Sequence, residues 1–227
     1  MSTSRVYENF YRIPRLAASE LSDGGGPFGF DIHTAIEIDF AIERYQCDAI
    51  VECGSNLGDT THYLAQAYPN LAVFTCDIVP RYVNFVRERL GGFPNVIVDL
   101  CDSADLIKKT QPHFKRPLYY LDAHWSEDWP LERELDAIEH AVVVIDDFDI
   151  GDPRFGYDEY QGVRCGPEFL KRYAARIPTF YVNNPKASYE VPCLQGGRRG
   201  GRAFIPLGLE SDYFRFCRYF VPRKNAA

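Results

Sequence analysis

Short apolar runs, each delivering an acidic residue near its carboxyl end, alternate along this chain with segments of helical period. That alternation restricts the fold more than any other feature. The runs are Asp48–Cys53, Ala72–Asp77, Asn95–Leu100, Leu118–Leu121 and Ala141–Ile145. The last reads Ala-Val-Val-Val-Ile, an unbroken β-branched stretch of the kind buried on both faces of a parallel sheet. Helical segments are predicted over Ile32–Tyr45, over Thr60–Tyr68 with Pro69 closing it, and from Pro80 onward, where Val83, Val86 and Leu90 have helical spacing. Others cover Ser103–Lys109, Leu131–His140 and Pro167–Ile177. Thr179–Asn183 and Ala203–Pro206 read as strands joined by loop alone, which predicts an antiparallel edge. The expected class is α/β, a doubly wound, mostly parallel sheet with helices on both faces.

A chain of 227 residues suffices for one domain with a sizeable core. The division expected is an N-terminal extension over 1–31, a sheet domain over 32–208 and a tail over 209–227. The extension ends in Asp23-Gly24-Gly25-Gly26-Pro27, which reads as a flexible loop. The aromatic tail, Tyr213-Phe214-Arg215-Phe216 and Tyr219-Phe220, reads as a terminal piece of the core or a contact in a homo-oligomer. Net charge is −7, which argues against nucleic acid or anionic membrane as partner and leaves a small-molecule substrate. Seven cysteines without a CxxC pair fit a reducing compartment, and no run is long enough to span a bilayer. A soluble, cytoplasmic protein is expected. Arg198-Arg199 and Arg202, set among glycines, read as a solvated hairpin turn, with a single-anion site as the other reading.

The first run continues into Glu52-Cys53-Gly54-Ser55-Asn56-Leu57-Gly58 and then helix. A strand, a glycine turn and a helix N-terminus form a cradle for a nucleotide or nucleoside, since glycine permits close approach and free N–H groups favour electron-rich atoms. Only two glycines are present, so the dinucleotide spacing is not met. Asp77 follows Gly54 by 23 positions, near the ~20-residue offset of an acid that binds ribose hydroxyls. The other runs end at Asp102-Ser103, Asp122-Ala123-His124 and Asp146-Asp147. Any one of these acids could be a helix cap or a loop residue. Converging at one sheet edge, they would repel unless a cation or polar ligand compensated them. Asp122, Asp146 and Asp147 form a hard-oxygen set suited to Mg²⁺, Ca²⁺ or Mn²⁺, with His124 and Glu127 close by. The other reading is that Asp146-Asp147 only opens a polar loop. His124 is a candidate general base or a supporting hydrogen-bond donor, and Trp125 and Trp129 either wall a pocket or pack the core.

These motifs resemble those of the class I S-adenosylmethionine-dependent methyltransferases. Val51-Glu52-Cys53-Gly54-Ser55-Asn56-Leu57-Gly58 is similar to their first motif, and Thr75-Cys76-Asp77-Ile78 to their second. Leu121-Asp122-Ala123-His124-Trp125 with Val142–Phe148 resembles the metal-dependent O-methyltransferases, nearest the macrocin O-methyltransferase and cephalosporin-hydroxylase-like groups. The resemblance implies a Rossmann-like domain with S-adenosylmethionine against Glu52, Gly54, Ser55, Asn56, Gly58 and Asp77, and adenine near Asp102 and Ser103. It implies Mg²⁺ on Asp122, Asp146 and Asp147, with Asp122 and His124 as catalytic groups. The activity implied is methyl transfer to a hydroxyl of a sugar, catechol or polyol-like molecule, entering over the long polar segment 149–166. Rival readings are a metal-independent methyltransferase, a nicotinamide-dependent oxidoreductase and a silent nucleoside-binding module.

Overall fold

The computed structural model describes residues 4–123 and 129–225. Five parallel strands form its centre: β1 (Ala49–Cys53), β2 (Ala72–Asp77), β3 (Val96–Leu100), β4 (Pro117–Leu121) and β5 (Ala141–Ile145). Three more complete the sheet: β6 (Thr179–Asn183), β7 (Ala203–Leu207) and β8 (Phe220–Lys224). The order across it is β3-β2-β1-β4-β5-β7-β6-β8. β7 runs antiparallel to both β5 and β6, and β8 antiparallel to β6. The order of the parallel strands switches sides at β1, with β2 and β3 added on one side and β4 and β5 on the other, and ligands of such sheets bind at that crevice.

Alternate strand residues face opposite sides. Leu118, Tyr120, Val142 and Val144 join one core with α2 (Ile32–Tyr45) and α3 (Asp59–Ala67). Tyr119, Leu121, Val143 and Ile145 join the other with α5 (Ser103–Thr110), α6 (Leu131–Ala137) and α7 (Pro167–Leu170). The remaining helices are α1 (Ser4–Asn9) and α4 (Pro80–Leu90). Among the described residues no helix is long and apolar enough to cross a membrane. All seven cysteines are free thiols.

Three expectations change, and the tail fits one of its two readings. The segment before α2 is not a loose arm, because Val6, Phe10, Ile13, Phe28 and Phe30 are buried in the first core. Its glycine-rich end is tied down by Asp59, which accepts hydrogen bonds from the N–H groups of Leu16 (3.2 Å) and Gly26 (2.6 Å). The predicted helix at Pro167 stops as an α-helix at Leu170 and ends in a 3₁₀ turn over Lys171–Tyr173. The tail supplies β8, and Phe214 is fully buried against Phe40, Tyr45, Tyr181, Phe204 and Phe220. Finally, segment 149–166 is braced by backbone pairing. Phe155–Gly156 lies parallel to Arg199–Gly200, and Glu159–Tyr160 antiparallel to Val163–Arg164.

Candidate cofactor and acceptor site

β1 and β4 are neighbours, and the Asp122 N–H extends their ladder by donating to the Cys53 carbonyl (3.1 Å). The chain leaving β1 must then turn across the start of that loop. Gly54 does so at φ +93°, where a Cβ would lie 2.7 Å from the Asp122 carbonyl oxygen. Both strain and contact demand glycine there. The N–H groups of Gly54 and Ser55 donate to the Cys76 carbonyl (3.2 and 2.9 Å), which fastens the turn to β2. Asn56 takes a left-handed conformation (φ +44°), which asparagine tolerates better than most residues. Gly58, at φ +75°, caps α3.

Glu52 lies beneath this turn and does not line the cleft. Its carboxyl accepts from the hydroxyls of Thr61 on α3 and Thr75 on β2 (2.6 Å for the latter), tying three elements together. Burial pushes it up to about 7. Ser55 and Gly58 likewise build the turn from behind, whereas Gly54, Asn56, Asp77, Asp102 and Ser103 line a cleft of about 490 Å³. Asp77 closes β2 with its carboxylate oriented by the N–H groups of Asn56 (3.1 Å) and Val79 (2.9 Å). Each oxygen retains accepting capacity for a hydroxyl. Asp102 caps α5 through the Ala104 N–H (2.9 Å) and pairs with Arg133 (2.9 Å), so it shapes the wall as much as it faces a ligand.

The cleft has walls that the motifs did not announce: Ile78, Val79, Tyr82, Cys76, Cys101, Ala123 and Pro130. Ile78 is 56% exposed, an unusual place for a large apolar side chain beside a ribose-type acid. Its position directly after Asp77 was the available signal. Among the described residues the buried Ser55 hydroxyl has no hydrogen-bond partner, while the Ser103 hydroxyl lies beside the Glu134 carboxyl. A cleft of this volume with an oriented acid and an apolar lip fits a nucleoside-bearing cofactor.

At the other end stand the three acids of β4 and β5. The Asp146 N–H donates to the Leu121 carbonyl (3.0 Å), carrying the β4–β5 ladder to the carboxyl edge where Asp122 also lies. Asp122 lines the cleft. Burial and the carboxylates of Asp146 and Asp147 push its carboxyl well up. Asp147 is left-handed (φ +47°), and burial with the adjacent Asp146 raises it to about 7. Asp146 is already matched: the Tyr120 hydroxyl donates to Oδ2, and the Arg202 guanidinium lies 2.8 Å from Oδ1. Among the described residues no group of three or more His, Cys, Asp and Glu side chains is arranged to hold a metal ion. With Asp146 matched by Tyr120 and Arg202, the three acids do not by themselves present the open oxygen set expected for a divalent cation. His124, Trp125 and Glu127 lie outside the described residues.

The arginine cluster is neither a solvated turn nor an anion site. Arg202 is buried between Asp146 and Asp31 (3.6 Å), Arg199 pairs with Asp31 (2.8 Å), and Arg198 reaches Asp147 (3.7 Å) and Asp158 (3.6 Å). Long-range acids that no local pattern pairs with these arginines turned Arg199 and Arg202 inward, while Arg198 stays half exposed.

No protein-family model and no curated protein matches the chain. Solved structures do. The O-methyltransferase TomG from Streptomyces achromogenes, solved with S-adenosylmethionine and involved in tomaymycin synthesis, is 18% identical with a TM-score of 0.52 over 91% of this chain and 91% of that one. The chain has the fold of the class I S-adenosylmethionine-dependent methyltransferases. A protein from Klebsiella pneumoniae, described as a candidate O-methyltransferase, is 17% identical with a TM-score of 0.54 over 91% of this chain and 89% of that one. An O-methyltransferase from Bacillus cereus in complex with SAH is 17% identical with a TM-score of 0.50 over 89% and 90%. In this fold the cleft between Gly54 and Ser103 lies at the carboxyl edge of β1, β2 and β3, where the topology directs a ligand.

Proposed function

We propose that this protein is an S-adenosylmethionine-dependent methyltransferase that methylates a hydroxyl of a small molecule. The observation that carries the reading is the pairing of the glycine turn with Asp77 across one cleft, in a sheet of methyltransferase order. When bound, the cofactor supplies an electrophilic methyl group on a sulfonium. The chain's own task is mainly alignment. Asp77 accepts from the ribose hydroxyls, Ser103 meets the adenine end, and Ile78 and Tyr82 cover the apolar face. Gly54 lets the turn pack directly against the Asp122 carbonyl, where both residues line the cleft.

Asp122 is placed to accept the acceptor's proton. It lines the cleft where the loops after β1 and β4 meet, within reach of an acceptor bound there. His124 is the second candidate base. A sugar, catechol or polyol-like acceptor would enter past segment 149–166. The test is a calorimetric titration of the protein with S-adenosylmethionine, S-adenosylhomocysteine, NAD⁺ and NADP⁺. Binding of the two sulfur nucleosides at micromolar affinity, with no heat from the nicotinamides, is expected. Binding of a nicotinamide alone overturns the reading in favour of an oxidoreductase.

A further inference from the structure

Arg202 is 2% exposed, and a guanidinium is kept there only where its charge and donors are matched. Its Nε lies 2.8 Å from Asp146 Oδ1, an ionic contact off the axis of a well-formed hydrogen bond. Its Nη1 donates to the Gly200 carbonyl (3.0 Å) and lies 3.6 Å from Asp31 Oδ2. The second oxygen of Asp146 accepts from Tyr120, so both oxygens already have a partner and its charge is matched by the guanidinium. Arg198 adds a second positive charge beside Asp147.

The backbone is built to deliver these arginines. A Cβ on Gly201 would lie 2.2 Å from the Phe148 carbonyl oxygen, on Gly200 2.6 Å from Asp147 Oδ1, and on Gly156 1.5 Å from Arg198 Nε. Three glycines thus let the strand entering β7 lie against the ends of β5. A divalent cation on Asp146 would stand within a few ångströms of a buried guanidinium, and their repulsion in a poorly screened site would oppose binding.

We infer that Arg202 occupies, as a built-in counter-charge, the electrostatic role that a divalent cation would fill at the ends of β4 and β5. Arg202 is then a positioning residue that holds Asp146 and Tyr120 behind Asp122, and methyl transfer proceeds without metal. The inference rests on the methyltransferase reading above.

The experiment uses the full chain, stripped with chelator and saturated with S-adenosylhomocysteine, titrated with Mn²⁺ and read by the electron paramagnetic resonance of free Mn²⁺. Calorimetry follows S-adenosylhomocysteine in parallel. Wild-type protein and Arg202→Lys should bind no Mn²⁺ that Asp147→Asn abolishes, and S-adenosylhomocysteine affinity should not change on chelation. Arg202→Met, checked for folding by circular dichroism, should gain about one equivalent of bound Mn²⁺ as the carboxylates lose their partner. One equivalent bound by the wild type and lost in Asp147→Asn overturns the proposal, as does a folded Arg202→Met that gains none. Where Arg202→Met does not fold, the wild-type and Arg202→Lys titrations decide. Absence of S-adenosylhomocysteine binding in the calorimetric arm overturns the methyltransferase reading instead.

Discussion

At the scale of single residues, the glycine turn and the acids separate two kinds of work. Gly54 is required by geometry, with φ +93° and a backbone oxygen 2.7 Å from any Cβ. Gly54→Ala is expected to weaken S-adenosylhomocysteine binding by about tenfold or more, since strain of about 1–3 kcal/mol must be relieved by moving the turn. Calorimetry checks this, and an unchanged affinity would count against the cleft as the cofactor site. Asp77 was legible because its offset from Gly54 is set by the strand–helix–strand unit itself. Glu52 was legible as a motif residue but not in its role. Only the fold shows that Thr61 and Thr75 both donate to its Oε2.

At the scale of elements, the N-terminal arm illustrates what local reading misses. Glycines at 24, 25 and 26 signal a loop correctly, but looseness depends on what the loop touches. Asp59, at the first turn of α3, accepts from Leu16 and Gly26 with one oxygen and from Arg89 (2.6 Å) with the other. Asp59→Ala would release the arm and leave a largely buried arginine unmatched. We expect a loss of about 3–5 kcal/mol in urea denaturation, together with new protease cleavage between residues 16 and 26. Stability within 1 kcal/mol of wild type, or an arm as protected as before, would contradict the pinning role. The strand at 220–224 was missed for a related reason. Val-Pro-Arg-Lys shows little strand pattern, and the pairing with β6 supplies what propensity lacks.

At the scale of the whole molecule, the balance of buried acids sets an unusual pH response. Burial raises Glu37 to about 8, and Glu52 and Glu134 to about 7, from an ordinary 4.5. Above 4.5 the unfolded chain releases these protons while the folded chain keeps them, so stability falls as pH rises and levels off only past pH 7–8. Each group contributes a slope of about 1.4 kcal/mol per pH unit within its window. The ligand-free protein should therefore lose Tm steadily between about pH 5 and 8 in thermal melts. Glu134→Gln, replacing a buried carboxyl beside Ser103 and Cys53, should flatten that slope between about pH 5 and 7. A Tm that rises over this range would contradict the assignment of buried, protonated carboxyls.

The sequence by itself determined the strand–helix alternation, the order of the parallel strands' acids, the glycine turn and Asp77. All of these depend on periodicity or short offsets along the chain. The inward course of Arg199 and Arg202 came only with the tertiary structure. Asp146 lies more than fifty residues before Arg202, and Asp31 more than one hundred and seventy. A charge looks solvated until its partners are known, and those partners meet only after β7 has reversed to lie beside β5. The same strand reversal that closes the sheet brings its own counter-ion to the acids that had suggested a metal.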